Sequence, residues 1–209
     1  MIPTVTGAAV HAHVHRDDVG TKVGMWLFLF TELILFGGTF IVYAVYRFSH
    51  PAEFQLAAKE LDTFVGTLNT IILLTSSLTV AMSITSMQEG RKGLTLLLVG
   101  MTIVLAGAFL VNKYFEWGHK ISLGLYPKSP ELMNKPTGEI LYFGLYYVMT
   151  GLHALHVIIG MVVLGVMMMF VARGSVNKNS YVRLEAGALY WHLVDIIWIF
   201  LFPLFYLLH

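Results

Sequence analysis

The chain has 209 residues, of which 57% are hydrophobic and only 12% are charged, and its mean hydropathy is +0.74. Soluble domains carry roughly 25% charged residues, so this composition indicates an integral membrane protein and excludes a large separate soluble domain. The absence of cysteine excludes thiolate metal sites, iron–sulfur clusters and disulfides, and a net charge of +1 excludes the basic surface that a nucleic-acid partner requires.

Five apolar runs follow a polar N-terminal tail, which we place at residues 1–22. Lipid offers no hydrogen-bond partner to the backbone, so runs of about 20 apolar residues predict helices rather than the strands of a barrel. We therefore expect an all-α, polytopic membrane protein whose residues 23–209 form a bundle of five transmembrane helices. The predicted helices cover about 23–47, 64–87, 94–116, 138–172 and 185–208.

The orientation is predicted from the distribution of basic residues. The short turn at 88–93 contains both Arg91 and Lys92, whereas the segment 116–139 on the opposite side is long and interrupted by proline. Because basic residues concentrate in short cytoplasmic loops, we expect a cytoplasmic N-terminus. The tail lacks the pattern of a cleavable signal peptide, and we interpret its histidines as solvated, namely His11, His13 and His15.

Two carboxylates lie deep inside the apolar runs, Glu32 in the first and Asp195 in the fifth. A carboxylate near the centre of a membrane helix costs about 2.5–3.5 kcal/mol on insertion scales, so each needs a partner or a function. The first and fifth helices cross in the same direction, which places both acids roughly 12–14 Å from the same face of the membrane. They are interpreted as interhelical structural contacts or, alternatively, as a proton-linked or dioxygen-linked site.

Three histidines share the interior with these acids. His153 and His156 are three residues apart on the fourth helix, and His192 precedes Asp195 by three residues on the fifth. A buried carboxylate can ionise beside an imidazolium or stay protonated in an apolar site, and the residues leave both possibilities open. We expect Glu32 to pair with His153 or His156, and Asp195 with His192, and we expect no metal site.

Small and polar residues mark the surfaces where the helices are expected to pack, because they let membrane helices approach closely and bond across the contact. The predicted packing residues are Asn69, Ser76, Ser77, Gly151, Gly160, Trp191 and Trp198. At the far end of the third run, Lys113 and Glu116 stand beside aromatic residues. We interpret them as a surface ion pair in an interfacial aromatic belt, and we keep Glu116 as a candidate structural or proton-linked residue.

The order of these motifs resembles subunit III of haem–copper oxidases. Five groups of residues, in the family's order, carry the resemblance: GMWLFLFTE at 24–32, Asn69-Thr70 with Ser76-Ser77, Glu116-Trp117, TGLHALHV at 150–157 with Gly160, and YWHLVD at 190–195 with Trp198. The family also has seven-helix members, whose first two helices are separated from the rest by a lipid-filled cleft. This chain is similar to the five-helix core of bacterial members.

The resemblance implies a subunit without a catalytic centre or cofactor of its own, within a proton-pumping terminal oxidase of the cytochrome c oxidase type. Such a subunit packs against and stabilises the catalytic subunit I and supports proton uptake in aerobic respiratory electron transport. Haem and copper are then expected in partner subunits, with subunit II and other small subunits as further partners. Bound phospholipids and a location in the bacterial cytoplasmic membrane are also implied.

Three alternative functions fit the same residues. The chain could be subunit III of a quinol oxidase, or the similar five-helix partner of a nitric oxide reductase. From a different class, a bundle with buried acids and histidines could be a small proton-coupled carrier. Against the carrier, the sequence contains no internal inverted repeat, and five helices do not divide into two equal halves.

Overall fold

The computed structural model describes residues 18–178 and 180–207. Within them, seven helices follow one another along the chain: α1 (Asp18–Ser49), α2 (Pro51–Ala58), α3 (Thr63–Gln88), α4 (Lys92–Ser122), α5 (Pro130–Met133), α6 (Thr137–Ala172) and α7 (Val182–Tyr206). All except the short α2 and α5 are long and apolar enough to cross a membrane. The predicted all-α bundle of five transmembrane helices is confirmed.

The helix boundaries differ most from the expected ones at the start of α1 and at the end of α4. Helix α1 begins at Asp18, inside the tail predicted at 1–22, whereas residues 1–17 with their three histidines lie outside the described residues. Helix α4 continues to Ser122, beyond the predicted end at 116, because Lys120 in its last turns is buried against neighbouring segments. Helices α2 and α5 were not predicted, because neither contains an apolar run of membrane length.

Short-range interactions fix where the membrane helices begin and end. The carboxylate of Asp62 accepts hydrogen bonds from two backbone N–H groups in the first turn of α3, at 2.8 and 3.4 Å. Two residues after this helix, Gly90 has a φ of 78°, which lets the chain reverse and the N–H of Arg91 reach the carbonyl of Ser86 at 2.9 Å. The turn to α4 is therefore tight, and the two helices run antiparallel.

Helix α7 lies at the centre of the bundle and α1 at its edge. Helices α3 and α4 make the most extensive pair contact, while α7 packs against α6, α3 and α1. In the most apolar stretch of α7, 50% of the residues are buried, compared with 11% in the corresponding stretch of α1. The side chains of Trp191, Trp198 and Phe205 are fully enclosed. The polar side chains of α7 are therefore enclosed by residues of several neighbouring helices.

Side chains from three other helices bind the C-terminal turn of α7. The hydroxyls of Tyr43, Tyr142 and Thr63 donate to the carbonyls of residues 204–206, at 2.5, 2.7 and 3.1 Å. The last carbonyls of a helix have no intrahelical partner, and in this bundle they would otherwise face an apolar interior. These bonds tie α1, α6 and α3 to the same end of α7.

Candidate functional site

Glu32 and His156 form a polar contact between α1 and α6. Nε2 of His156 lies 2.8 Å from Oε2 of Glu32, and the two side chains are only 8% and 15% exposed. The ring of Phe36, one turn further along α1, packs edge-on against the imidazole at 5.1 Å. The expected pairing of Glu32 with one of two histidines thus involves His156.

The proton count of this pair follows from its hydrogen bonds. Nδ1 of His156 lies 2.7 Å from the carbonyl oxygen of Leu152, which can only accept, so Nδ1 carries a proton. The remaining contact to Glu32 is then either imidazolium with carboxylate or neutral imidazole with a protonated acid. The pair is neutral overall in both forms, which makes it compatible with the apolar interior.

Asp195 does not pair with His192, and this expectation was wrong. Nδ1 of His192 lies 2.7 Å from the hydroxyl oxygen of Ser77 on α3. Asp195 is 3% exposed, and neither of its carboxyl oxygens makes a hydrogen bond with correct geometry among the described residues. The imidazole of His192 is thus bonded to the serine of α3 and not to the carboxyl group three residues along α7.

His153 lies in an aromatic cage without a polar partner. Its ring is 5.2 Å from the ring of Trp198 and 5.5 Å from that of Phe109, measured between centroids. The residue is fully buried, and neither ring nitrogen has a hydrogen-bond partner among the described residues. His153 therefore does not join Glu32, although it shares a helix face with His156.

Four buried side chains are joined to one another by hydrogen bonds. We call this group the Lys113 tetrad: Lys113, Glu116, Tyr146 and Tyr206. Nζ of Lys113 donates to Oε2 of Glu116 at 3.2 Å and to the hydroxyls of Tyr146 and Tyr206 at 3.1 and 2.8 Å. Both hydroxyls donate to Oε1 of the carboxylate. All three N–H groups of the ammonium are used.

The location of this ion pair differs from the expected one. The side chains of Lys113 and Glu116 are only 4% and 5% exposed, so they form no surface pair in an aromatic belt. Tyrosines of α6 and α7 make burial possible because their hydroxyls supply the remaining hydrogen bonds of both charges. The pair therefore joins three helices.

Indole N–H groups connect α7 to the hydroxyl-rich face of α3. Nε1 of Trp191 donates to the hydroxyl of Ser76, and Nε1 of Trp198 to that of Thr70, both at 3.0 Å. Gly160 of α6 leaves room for the first indole, since a Cβ atom there would lie 2.8 Å from its ring. Most of the predicted packing residues of α3, α6 and α7 thus meet around two tryptophans.

Two more of the predicted packing residues lie against α4, and the last of them, Ser77, bonds to His192 of α7. Asn69 accepts a hydrogen bond from Nδ2 of Asn112 at 3.0 Å and is fully buried. Gly151 faces the ring of Trp117, which a Cβ atom would approach to 3.2 Å. Both positions permit close approach between neighbouring helices.

Tyr146 and Tyr206 are the partners of Glu116 that the sequence interpretation missed, whereas Lys113 was expected to pair with Glu116, but at the surface. The available signal was a lysine three residues before a glutamate inside a long helix, together with tyrosines in two other apolar runs. Within the parts of the chain that the structure describes, no group of three or more His, Asp or Glu side chains is placed to hold a metal ion.

Comparison with known proteins identifies the family. The family model described as cytochrome c oxidase subunit III matches residues 4–209. Cytochrome c oxidase subunit 3 of Thermostichus vulcanus is 31% identical over 96% of this chain and 92% of its own length. Cytochrome bo(3) ubiquinol oxidase subunit 3 of Pseudomonas aeruginosa is 29% identical, with 95% and 90% covered.

A longer relative combines two subunits in one chain. The heme-copper oxidase subunit I+III of Aeropyrum pernix is 32% identical over 96% of this chain, which spans 24% of that protein. These matches favour an oxidase subunit over a nitric oxide reductase partner or a carrier. The resemblance in the motifs is confirmed: the chain belongs to the family of cytochrome c oxidase subunit III, a component of the haem–copper oxidase complexes.

Proposed function

We propose that this chain is the subunit without redox centres in a proton-pumping terminal oxidase of the cytochrome c oxidase type. It packs against subunit I, stabilises it and supports proton uptake during aerobic respiration. The observation that carries the proposal is the relative in which subunits I and III are one chain, since a covalent link supports close association of the two. Haem and copper belong to partner subunits.

The surroundings follow from the same proposal. The oxidase lies in the bacterial cytoplasmic membrane, with the N-terminus of this chain on the cytoplasmic side, and subunit II and smaller subunits complete it. Phospholipids cover the apolar side chains that α1 exposes, among them Leu27, Phe30 and Ile34. Those side chains are exposed because α1 packs only along one side.

Within this role, Glu32 and His156 position α1 relative to α6. Leaving either group unpaired at membrane depth costs several kcal/mol, so the pair favours one placement of the two helices. That placement shapes the surface presented to subunit I. A second role is proton-linked, because the proton shared between Nε2 of His156 and Glu32 can reside on either group.

The experiment compares Glu32→Gln and Glu32→Ala in the purified oxidase, with Glu60→Gln at an exposed position as the control. Glutamine preserves a hydrogen bond to His156 but cannot ionise, whereas alanine removes the bond. We expect Glu32→Ala to lower retention of the subunit and to shorten the time over which turnover persists. Normal retention and turnover in both variants would contradict the positioning role.

Glu32→Gln separates the two roles of the pair. A purely positioning role predicts normal assembly and normal proton uptake in this variant. A proton-linked role predicts slower proton uptake with normal assembly. Proton uptake is followed with a pH indicator during a single turnover.

A further inference from the structure

A groove opens on the surface of the bundle between the C-terminal parts of α1 and α7. It encloses about 750 Å³, which lies within the range of about 300–1,000 Å³ that is usual for ligand pockets. Its walls are mostly apolar and aromatic side chains, among them Phe40, Phe48, Phe200 and Leu204. Phe48 and Phe200 are 89% and 55% exposed. The groove is therefore open to the surroundings of the bundle.

The charged residue in the lining of this groove is Arg47. It is exposed and belongs to the last turn of α1, close to the end of the membrane span. Its guanidinium makes no ion pair or hydrogen bond among the described residues. The hydroxyl of Tyr43, which also lines the groove, already donates to the carbonyl of Leu204 at 2.5 Å. A permanent positive charge thus lies unpaired beside an apolar groove.

The length of the groove matches part of one leaflet of a membrane. From Arg47 to Phe40 the groove follows α1 for seven residues, which is about 10 Å along the helix axis. One leaflet of the hydrocarbon core is about 15 Å thick. The rings of Phe40 and Phe200, 6.1 Å apart between centroids, mark the deep end. The groove can therefore hold the upper part of an acyl chain whose headgroup lies beside Arg47.

We propose that this groove binds one phospholipid whose headgroup has a net negative charge. The guanidinium of Arg47 donates to the phosphate oxygens, because its planar fork of N–H groups fits a phosphate. One acyl chain lies against the aromatic wall. The depth of the charge favours lipid over a helix of a partner subunit, because every phospholipid has its phosphate at the boundary of the hydrocarbon core, directly above the acyl chains. A partner helix would need an acidic residue at that one position.

The acidic residues favour an anionic headgroup over a zwitterionic one. The ammonium group of a zwitterionic headgroup requires an acid, and no carboxylate belongs to the lining of the groove. Along the chain, the acid that follows Arg47 is Glu53. Its carboxylate accepts a hydrogen bond from the backbone N–H of Gly138 and lies 3.6 Å from Nδ1 of His50. An anionic headgroup needs only the cation that Arg47 supplies.

Three other grooves beside α1 differ in their charges. In the first, Lys22 lies 3.8 Å from the carboxylate of Glu185. The second is apolar except for His192. The third contains Arg183, whose guanidinium lies over the ring of Phe170 at 5.9 Å from its centroid. The groove at Arg47 therefore combines a large apolar surface with a cation that has no partner.

The inference rests on the proposed function in one respect. With the N-terminus of the chain on the cytoplasmic side, Arg47 lies on the outer side of the membrane. Basic residues are less frequent in short segments on that side. The phospholipid then comes from the outer leaflet, and its phosphate offsets the charge of Arg47.

The test uses the full chain, purified in mild detergent together with the subunits that accompany it. The protein is titrated with phosphatidylglycerol or phosphatidylcholine, and bound lipid is counted by native mass spectrometry. Arg47→Gln removes the charge, and Ala44→Phe fills the groove, which Ala44 lines. Two controls match these changes outside the groove: Lys59→Gln removes an exposed cation at the end of α2, and Val45→Phe enlarges an exposed side chain of α1.

We expect the unchanged protein to bind one phosphatidylglycerol more tightly than phosphatidylcholine. Arg47→Gln should weaken the binding of phosphatidylglycerol about fivefold and leave that of phosphatidylcholine unchanged. This factor corresponds to roughly 1 kcal/mol for one basic side chain at an anionic membrane surface. Ala44→Phe should weaken the binding of both lipids, and both control variants should bind them as the unchanged protein does.

Equal affinity for phosphatidylglycerol in the unchanged protein and in Arg47→Gln would overturn the inference. So would Ala44→Phe with unchanged lipid binding, and in that case the release of an accompanying subunit would show that the groove holds a protein helix instead. The same preparation tests the proposed function separately, through the haem of the accompanying subunits. Preparations without haem would contradict the proposed function, while the lipid affinities would still decide this inference.

Discussion

Replacement of Lys113 by methionine tests the strongest energetic statement that the structure makes. The ammonium group donates to Glu116, Tyr146 and Tyr206, and the site is almost closed to solvent. Methionine fills a similar volume with an unbranched apolar side chain, so the change removes the charge and three hydrogen bonds without creating a large cavity. The carboxylate of Glu116 then remains buried with two tyrosine donors and without the ammonium group that was bonded to it.

The magnitude follows from the asymmetry of buried ion pairs. Removing one partner costs about 3–5 kcal/mol because the other charge stays behind, whereas replacing both partners by uncharged groups is often neutral or stabilising. We therefore expect Lys113→Met to lower the free energy of unfolding by about 3–5 kcal/mol, a factor of roughly 10² to 10⁴ in the unfolding equilibrium. The double variant Lys113→Met with Glu116→Gln should recover most of this loss.

The assay is an SDS titration of the purified subunit in mixed micelles, followed by tryptophan fluorescence, and retention of the subunit in the oxidase is measured beside it. Lys59→Met, at an exposed position at the end of α2, is the matched control. A loss below 1 kcal/mol in Lys113→Met, within the range of exposed ion pairs, would refute the reasoning. So would a double variant as unstable as the single one.

Two further predictions concern the tryptophans of α7, with unfolding in the same titration as the measurement. Gly160→Val places a side chain against the ring of Trp191 and should lower the free energy of unfolding by about 1–3 kcal/mol or more. The control Gly165→Val adds the same side chain where no other atom is near, so it should have little effect. Equal losses of stability in the two variants would contradict the packing argument. Thr70→Val leaves the indole N–H of Trp198 unpaired and should lower the free energy of unfolding by about 1–3 kcal/mol. It should also shift the fluorescence of Trp198. An unchanged spectrum and an unchanged stability would show that the bond is unimportant.

The number of membrane-spanning helices could be predicted from the sequence because it depends on local composition. An apolar run of membrane length must be helical whatever it packs against. Residues such as Glu32 and His156 could also be identified, since a polar group at membrane depth needs a partner and few candidates exist. The spacing of His153 and His156 on one face of α6 left these two histidines as candidate partners of Glu32. Distinguishing them required the structure, because both project from the same side of α6.

The position of the Lys113 tetrad could not be predicted for a physical reason. A lysine and a glutamate three residues apart near a helix end look the same in sequence whether the end is exposed or covered. What buries them is the approach of Tyr146 and Tyr206 from two other helices, a property of tertiary packing. The same limit explains the Asp195 error, since spacing along α7 gave no information about Ser77 on α3.

The weak packing of α1 makes its polar contacts more important than those of the other helices. Lipid is as apolar as the helix surface, so the hydrophobic effect does not hold two helices together inside a membrane. Helix α1 is joined to the bundle at three depths: Lys22 near its start, Glu32 in its apolar stretch, and Tyr43 near its end. Lys22 is largely exposed, and an exposed ion pair contributes about 0–1 kcal/mol. Glu32 and Tyr43 therefore determine how α1 is rotated, and with it which side chains of this helix remain for lipid or a partner subunit.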